Sequence, residues 1–170
     1  GFYNSTANIM IQDTARVYLR NSTTPFAIVD SAKAQLSNTG AGVFSFANAV
    51  NGVSYYLQLK HRNSLETWSK TTQTFTGNSL TYSFTSANTQ AFGNNMKQVD
   101  ASPVRFAIYG GDVNQDGTVD ATDLSAIDND AQGFVSGYVV TDLNGDNFVD
   151  GTDFAIADNN AANFVSVVRP

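Results

Sequence analysis

The sequence predicts a mainly β sandwich over residues 1–111 and, over residues 112–170, a small α module of loops and short helices. Three features predict that division. Apolar and polar residues alternate in the first part only, the charge changes sign near residue 111, and an internal repeat fills the second part.

With 170 residues, 42% of them hydrophobic, the chain can hold one sandwich-sized domain and one small module. It contains no cysteine, which excludes disulfides and thiolate metal sites. No run of about 18 apolar residues is present, so no membrane span is expected. Gly1 follows no initiator Met and no signal peptide is visible, which suggests a processed product or an excised part of a longer chain. Residues 1–111 carry eight Lys and Arg against Asp13, Asp30, Glu66 and Asp100, about +4. Residues 112–170 carry eleven Asp against Arg169 alone, about −10. The acidic part would repel phosphate, so no nucleic-acid role is expected of it. A divalent cation is its natural partner.

In chain order, "ARVYLRN" puts Val17 and Leu19 on one face and Arg16, Tyr18 and Arg20 on the other. "PFAIVD", "GVFSFAN", "SYYLQLKHR", "TWSKTTQTFT", "LTYSFTS" and "RFAIYG" follow, separated by Asn, Gly, Ser and Thr at the spacing of a sandwich. "SYYLQLK" opposes Tyr55, Leu57 and Leu59 to Tyr56, Gln58 and Lys60. The order "VYLRN … G-VFSFANAVNG-VSYYLQL", residues 9–62, resembles transthyretin-like and Cna B-type sandwiches, of immunoglobulin-like build. Some Cna B repeats carry a Lys–Asn isopeptide bond. The first strand here offers Arg16 and Arg20 but no Lys, so that bond is not expected.

From residue 112 the chain repeats at an offset of 30. Asp112, Asn114, Asp116, Val119, Asp120, Thr122 and Asp123 recur as Asp142, Asn144, Asp146, Val149, Asp150, Thr152 and Asp153. The tails recur too: Asp128-Asn129, Ala131 and Phe134-Val135-Ser136 as Asp158-Asn159, Ala161 and Phe164-Val165-Ser166. Calcium takes six to eight oxygens, and a twelve-residue loop supplies them from positions 1, 3, 5, 7, 9 and 12. The expected ligands are Asp112, Asn114, Asp116, Thr118, Asp120 and Asp123 in loop one. In loop two they are Asp142, Asn144, Asp146, Phe148, Asp150 and Asp153. Position 7 offers its backbone carbonyl, so Thr and Phe are interchangeable there. Position 6 needs a sharp turn, which Gly117 accepts freely and Asn147 tolerates. A single such loop would read equally well as a turn and a helix cap. Two complete copies favour two Ca2+ ions, with folding coupled to binding. Asp123 and Asp153 are expected to help cap the helices that follow.

"RFAIYGG" and "GYVVT", which precede the loops, are not helical, so neither unit is an EF-hand. "ATDLSAIDNDAQ" and "GTDFAIADNNAA" read as exiting helices, with Leu124, Ile127, Phe154 and Ala157 turned inward. Duplicated loop-helix units ending in Asp resemble dockerins over residues 112–165. The resemblance implies docking onto a cohesin-like domain. Ala121, Thr122, Asp128 and Asn129, and their counterparts Gly151, Thr152, Asp158 and Asn159, would carry the contact. Cellulosomal dockerins often have Lys or Arg at the last pair of positions, and this departure argues against a standard cellulosomal cohesin. Near symmetry implies two binding orientations. The resemblance to dockerins further implies a larger secreted or surface-bound bacterial protein, with polysaccharide reached through that parent.

Gly110-Gly111 is so short a link that docked modules are expected. His61, Glu66 and Trp68 in "HRNSLETWS" could interest a hydrolase reader, but Glu66 is the only Glu and glycoside hydrolysis needs paired carboxylates. No enzyme is expected. Tyr55, Tyr56, Trp68 and Tyr82 would form a sugar platform only if they shared an exposed face. A calcium-stabilised structural or C-terminal sorting module is the competing expectation.

Overall fold

A computed structural model describes residues 2–4 and 9–170, with side chains from residue 12 onward. Residues 1 and 5–8 of the expected sandwich lie outside the described residues. β1 (Phe2–Asn4) and β2 (Ile9–Ile11) form an antiparallel pair. The main sheet contains β3 (Thr14–Asn21), β4 (Ile28–Gln35), β5 (Ser54–His61) and β6 (Ser64–Trp68) in the order β4-β3-β5-β6. β7 (Gln73–Thr74) shares the outer edge of β5 with β6. β8 (Lys97–Ala101) and β9 (Val104–Ala107) make a third antiparallel pair. Two helices close the chain: α1 (Ala121–Gln132) and α2 (Gly151–Ala162).

Strand alternation places the core. Val17 lies opposite Leu59 and Leu19 opposite Leu57, so β3 and β5 present one apolar face together. Val17, Leu19, Tyr55 and Leu57 are buried there under Phe44, Phe46, Ala49, Phe75, Leu80, Tyr82 and Phe84. Those seven covering residues stand outside strands. "GVFSFAN" and "LTYSFTS", expected as strands, are connecting segments whose aromatic rings fill the core without joining a sheet ladder. Their alternation reported burial on one side, which an unladdered segment needs as much as a strand does. The strand expected in "PFAIVD" begins only at Ile28. The other sheet face is polar at its centre and carries Arg20, Gln58, Glu66 and Trp68 around one shallow pocket.

The second core belongs to the repeat. Val113, Val119, Ile127, Leu143, Val149, Ala157 and Val165 are buried together, with Leu124 and Phe154 packed against them. Each loop pairs with the tail of the other repeat. Val119 N donates to Val165 O at 2.9 Å, and Val149 N to Val135 O at 3.0 Å. That cross-pairing explains why the tails recur in sequence along with the loops.

Leu65 of β6 belongs to this second core, although it lies in the main sheet. The linker continues the sheet: Leu65 N donates to Tyr109 O and Gly111 N to Asn63 O, both at 2.8 Å. Gly111 has φ of +111°. A Cβ there would sit 3.2 Å from the Ala157 backbone and 3.0 Å from Val119, so the crossing into the second core requires glycine.

Candidate calcium loops and docking face

Each helix is capped by the ninth loop residue and begins at the tenth. Asp120, with extended backbone, accepts from Thr122 N at 2.8 Å, and Asp123 Oδ2 accepts from Asp120 N at 3.0 Å. Asp150 and Asp153 repeat this capping box at 2.7 and 3.0 Å. Asp120 and Asp150 are therefore the N-caps. Asp123 and Asp153 contribute to the caps from the third helical position.

Asp123 and Asp153 also close the loops. Asp123 Oδ1 accepts from Val113 N at 2.9 Å and Asn114 N at 3.2 Å, tying the twelfth residue to the second and third. Asp153 Oδ1 accepts from Leu143 N at 2.7 Å and Asn144 N at 2.9 Å. Both carboxylates are completely buried. Inside the loops, Asn114 and Asp116 accept from the amides of Asp116 and Thr118, and Asn144 and Asp146 from those of Asp146 and Phe148. Position 6 is left-handed in both copies, with φ +96° at Gly117 and +70° at Asn147. Position 4 is left-handed as well, at Gln115 (+61°) and Gly145 (+80°).

The first loop residues differ in how their charge is met. Burial pushes the Asp112 carboxyl up to about 6, and repulsion from Asp123 and Asp116 adds to it, against hydrogen bonds from the Gly117 and Asp116 amides. Its Oδ1 is buried without a hydrogen-bond partner. Burial pushes Asp142 up too, but Oδ1 accepts from Gly145 N at 2.7 Å and Oδ2 from Asn147 N at 3.2 Å.

Among the described residues, no three acidic, histidine or cysteine side chains converge to form a cation cluster by themselves. The loop's donor set is mixed, counting Asn114 or Asn144 and the carbonyl of Thr118 or Phe148 beside the carboxylates. Asp120 and Asp150 are turned to their helix caps, and position 9 of such loops often reaches its ion through water. An orphaned, buried Oδ1 at Asp112, among like charges, is what a hard cation would satisfy. Loop one fits the ion on this ground, whereas in loop two both Asp142 oxygens already accept backbone amides.

The eight residues expected to meet a partner, Ala121, Thr122, Asp128, Asn129, Gly151, Thr152, Asp158 and Asn159, are all exposed. Thr152 is less free than Thr122. Its Oγ1 donates to Asp150 Oδ1 at 2.6 Å and accepts from Asn144 Nδ2 at 2.9 Å.

Residues 110–160 match the family model of the dockerin type I domain. This segment is dockerin-like. The match begins at Gly110, takes in both loops and runs into α2. Dockerin domains bind calcium, dock in general onto cohesins, and are not themselves catalytic. Comparison with curated proteins and with solved structures returned no match.

Beside the dockerin-like segment lies a set of contacts that sequence reasoning missed. The β5–β6 corner holds loop two at its first residue and loop one at its fourth. Asn63 Nδ2 donates to Asp142 O at 2.8 Å, and Arg62 donates to Val139 O and, at 3.2 Å, to Asp142 O. Gln115 Nε2 bridges Asp112 O at 2.6 Å and Ser64 O at 3.2 Å. Behind this turn Asp13 accepts from Tyr138 Oη at 2.6 Å and lies 2.9 Å from His61 Nε2 and 3.3 Å from Arg62 Nε. Burial alone would raise the Asp13 carboxyl; hydrogen bonds from His61, Tyr138 and Thr14 outweigh it and hold the group well below the usual carboxylate range. At the chain's end Arg169 Nε meets Glu66 at 2.5 Å. Glu66 also accepts from Trp68 Nε1 and Gln58. Burial raises Glu66, while Arg169, Trp68 and Lys60 bring it down on balance.

His61, Glu66 and Trp68 thus serve the junction between the two cores. The aromatic platform does not assemble. Tyr55 and Trp68 are only 3% and 4% exposed, and Tyr55 faces the apolar core while Trp68 sits on the opposite sheet face with Tyr56.

Proposed function

We propose that the chain is a calcium-dependent protein-docking module of a larger secreted or surface-bound bacterial protein, with a sandwich-like β companion over residues 1–111 and the docking module over 112–170. Two Ca2+ ions are held by the ligands named above, from Asp112 to Asp123 and from Asp142 to Asp153. Each ion replaces carboxylate repulsion with shared coordination and so fixes the start of the helix behind it. The partner is a cohesin-like domain met by the exposed helix residues at Ala121-Thr122, Asp128-Asn129, Gly151-Thr152 and Asp158-Asn159. Polysaccharide is reached only through the parent protein.

The observation that carries this reading is the paired, closed loop. In both copies a buried Asp at position 12 joins loop start, loop end and helix cap, while the outer helix face stays exposed. The test is an affinity capture from secreted and envelope fractions, washed in calcium and eluted with chelator. A cohesin-like domain in the chelator eluate supports docking. An empty eluate, with calcium still raising the melting temperature, would favour a calcium-stabilised structural or sorting role.

A further inference from the structure

Phe134 and Phe164 are 89% and 88% exposed, the two most exposed aromatic side chains among the described residues. Each stands just past its helix in the left-handed region, with φ of +51° and +52°. The backbone around them makes the Schellman closure: Phe134 N donates to Ala131 O and Val135 N to Asp130 O. Phe164 N and Val165 N repeat this onto Ala161 O and Asn160 O. Glycine is the residue that favours this position, because any Cβ is strained there. Both repeats therefore accept a strained left-handed backbone and the near-complete exposure of a phenyl ring.

The cross-pairing of the repeats places these rings. Val135 is hydrogen-bonded to Val149, so Phe134 runs alongside the start of α2 and the Gly151-Thr152 pair. Val165 is likewise bonded to Val119, which brings Phe164 alongside the start of α1 and Ala121-Thr122. From this geometry we infer that each docking face is assembled across the repeats, with the phenyl ring of one anchoring beside the helix start of the other. The occupant is a protein surface with an apolar pocket for a single phenyl ring, rimmed by Lys and Arg. The rim follows from charge: residues 112–170 carry eleven Asp against one Arg, and Asp128 and Asp158 are exposed on the helices. The same charge opposes the acidic module of a second copy as the occupant, since the two faces would repel. The inference rests on the docking function proposed above and adds the residues that select the partner.

The test uses the full chain in calcium and a panel of purified cohesin domains, some with basic and some with acidic binding faces. Binding is measured by titration calorimetry and stability by thermal melting. Variants are Phe134→Gly, Phe164→Gly and the double change. Glycine relieves the left-handed strain, so the double variant should melt at or above the wild-type temperature. It should also bind its basic-faced cohesin at least 100-fold more weakly. Each single variant should lose less than about threefold, because the other face remains. Undiminished binding by the double variant, or preference for acidic-faced cohesins, would overturn the inference. A lowered melting point would make the rings structural and overturn it too, as would dimers in sedimentation that vanish with the double change. If wild type binds no panel member while its variants melt normally, the docking function itself fails and the anchors fall with it.

Discussion

Loop one and loop two solve the same backbone problem with their residues exchanged. Both need a left-handed residue at position 4 and another at position 6, and each supplies a single glycine. Loop one puts glycine at position 6 and Gln115 at position 4; loop two puts glycine at position 4 and Asn147 at position 6. Gln115 is not merely tolerated. Its side chain reaches Asp112 O and Ser64 O, so the strained position also fastens loop one to the β5–β6 turn. Loop two leaves that fastening to Arg62 and Asn63, which come from the turn itself. The lesson is that a duplicated loop keeps its conformation while each copy finds its own attachment to the sheet.

The largest expected effect tests what the loops share. Asp123→Ala and Asp153→Ala each remove a buried carboxylate that accepts three backbone amides, and each should cost about 3 kcal/mol or more in urea unfolding without calcium. Near-equal losses are expected, and a loop that tolerated its change would break the equivalence.

The attachments should separate the copies. Arg62→Ala leaves Asp13 with weaker compensation and removes the donor to Val139 O, while Asp142 O keeps Asn63, a loss of about 2 kcal/mol. Amide exchange should quicken in loop two before loop one. Gln115→Ala should do the reverse, at about 1 kcal/mol. Equal quickening of both loops in either variant would mean that the sheet does not hold them separately.

Acid should loosen the whole attachment. Asp13 and Glu66 both have folded-state pKa values below their ordinary ones. Their contribution is therefore present above the unfolded carboxylate range, near pH 4, and is lost as pH falls through the folded values. Stability should drop below about pH 4 more steeply in wild type than in an Asp13→Asn, Glu66→Gln double variant, read from melting temperature against pH.

The smallest effects concern the exchanged residues. Gly117→Ala should cost about 1–2 kcal/mol, since its φ is +96° and its Cβ would lie 2.9 Å from Val167 Cγ1. Asn147→Gly should leave stability unchanged or raise it by up to about 1 kcal/mol. Both are read by chemical unfolding, and a loss in the second would mean that the Asn side chain has a role of its own.

Local signals were legible in the sequence and long-range ones were not. The two helices run over the residues that periodicity and loop spacing marked, because each is set by a cap a few residues away. Strands β3 and β5 followed from alternation. Alternation misled at "GVFSFAN" and "LTYSFTS", where it reports which side is buried and says nothing about a neighbouring strand's ladder. At the junction the short Gly110-Gly111 link was legible, but the side-chain contacts were not. Tyr138 reaches Asp13 across 125 residues and Arg62 reaches Val139 across 77, and a lone Arg or Tyr in a loop carries no spacing to read. Phe134 and Phe164 were visible as repeated residues, but only backbone conformation shows that glycine would be easier there.

Calcium titration of the full chain by calorimetry, beside Asp123→Ala and Asp153→Ala, tests the central claim most directly. The account predicts two ions per wild-type chain, one in each variant, and a wild-type melting temperature that rises with calcium. Absence of calcium heat together with an unchanged melting temperature would contradict it.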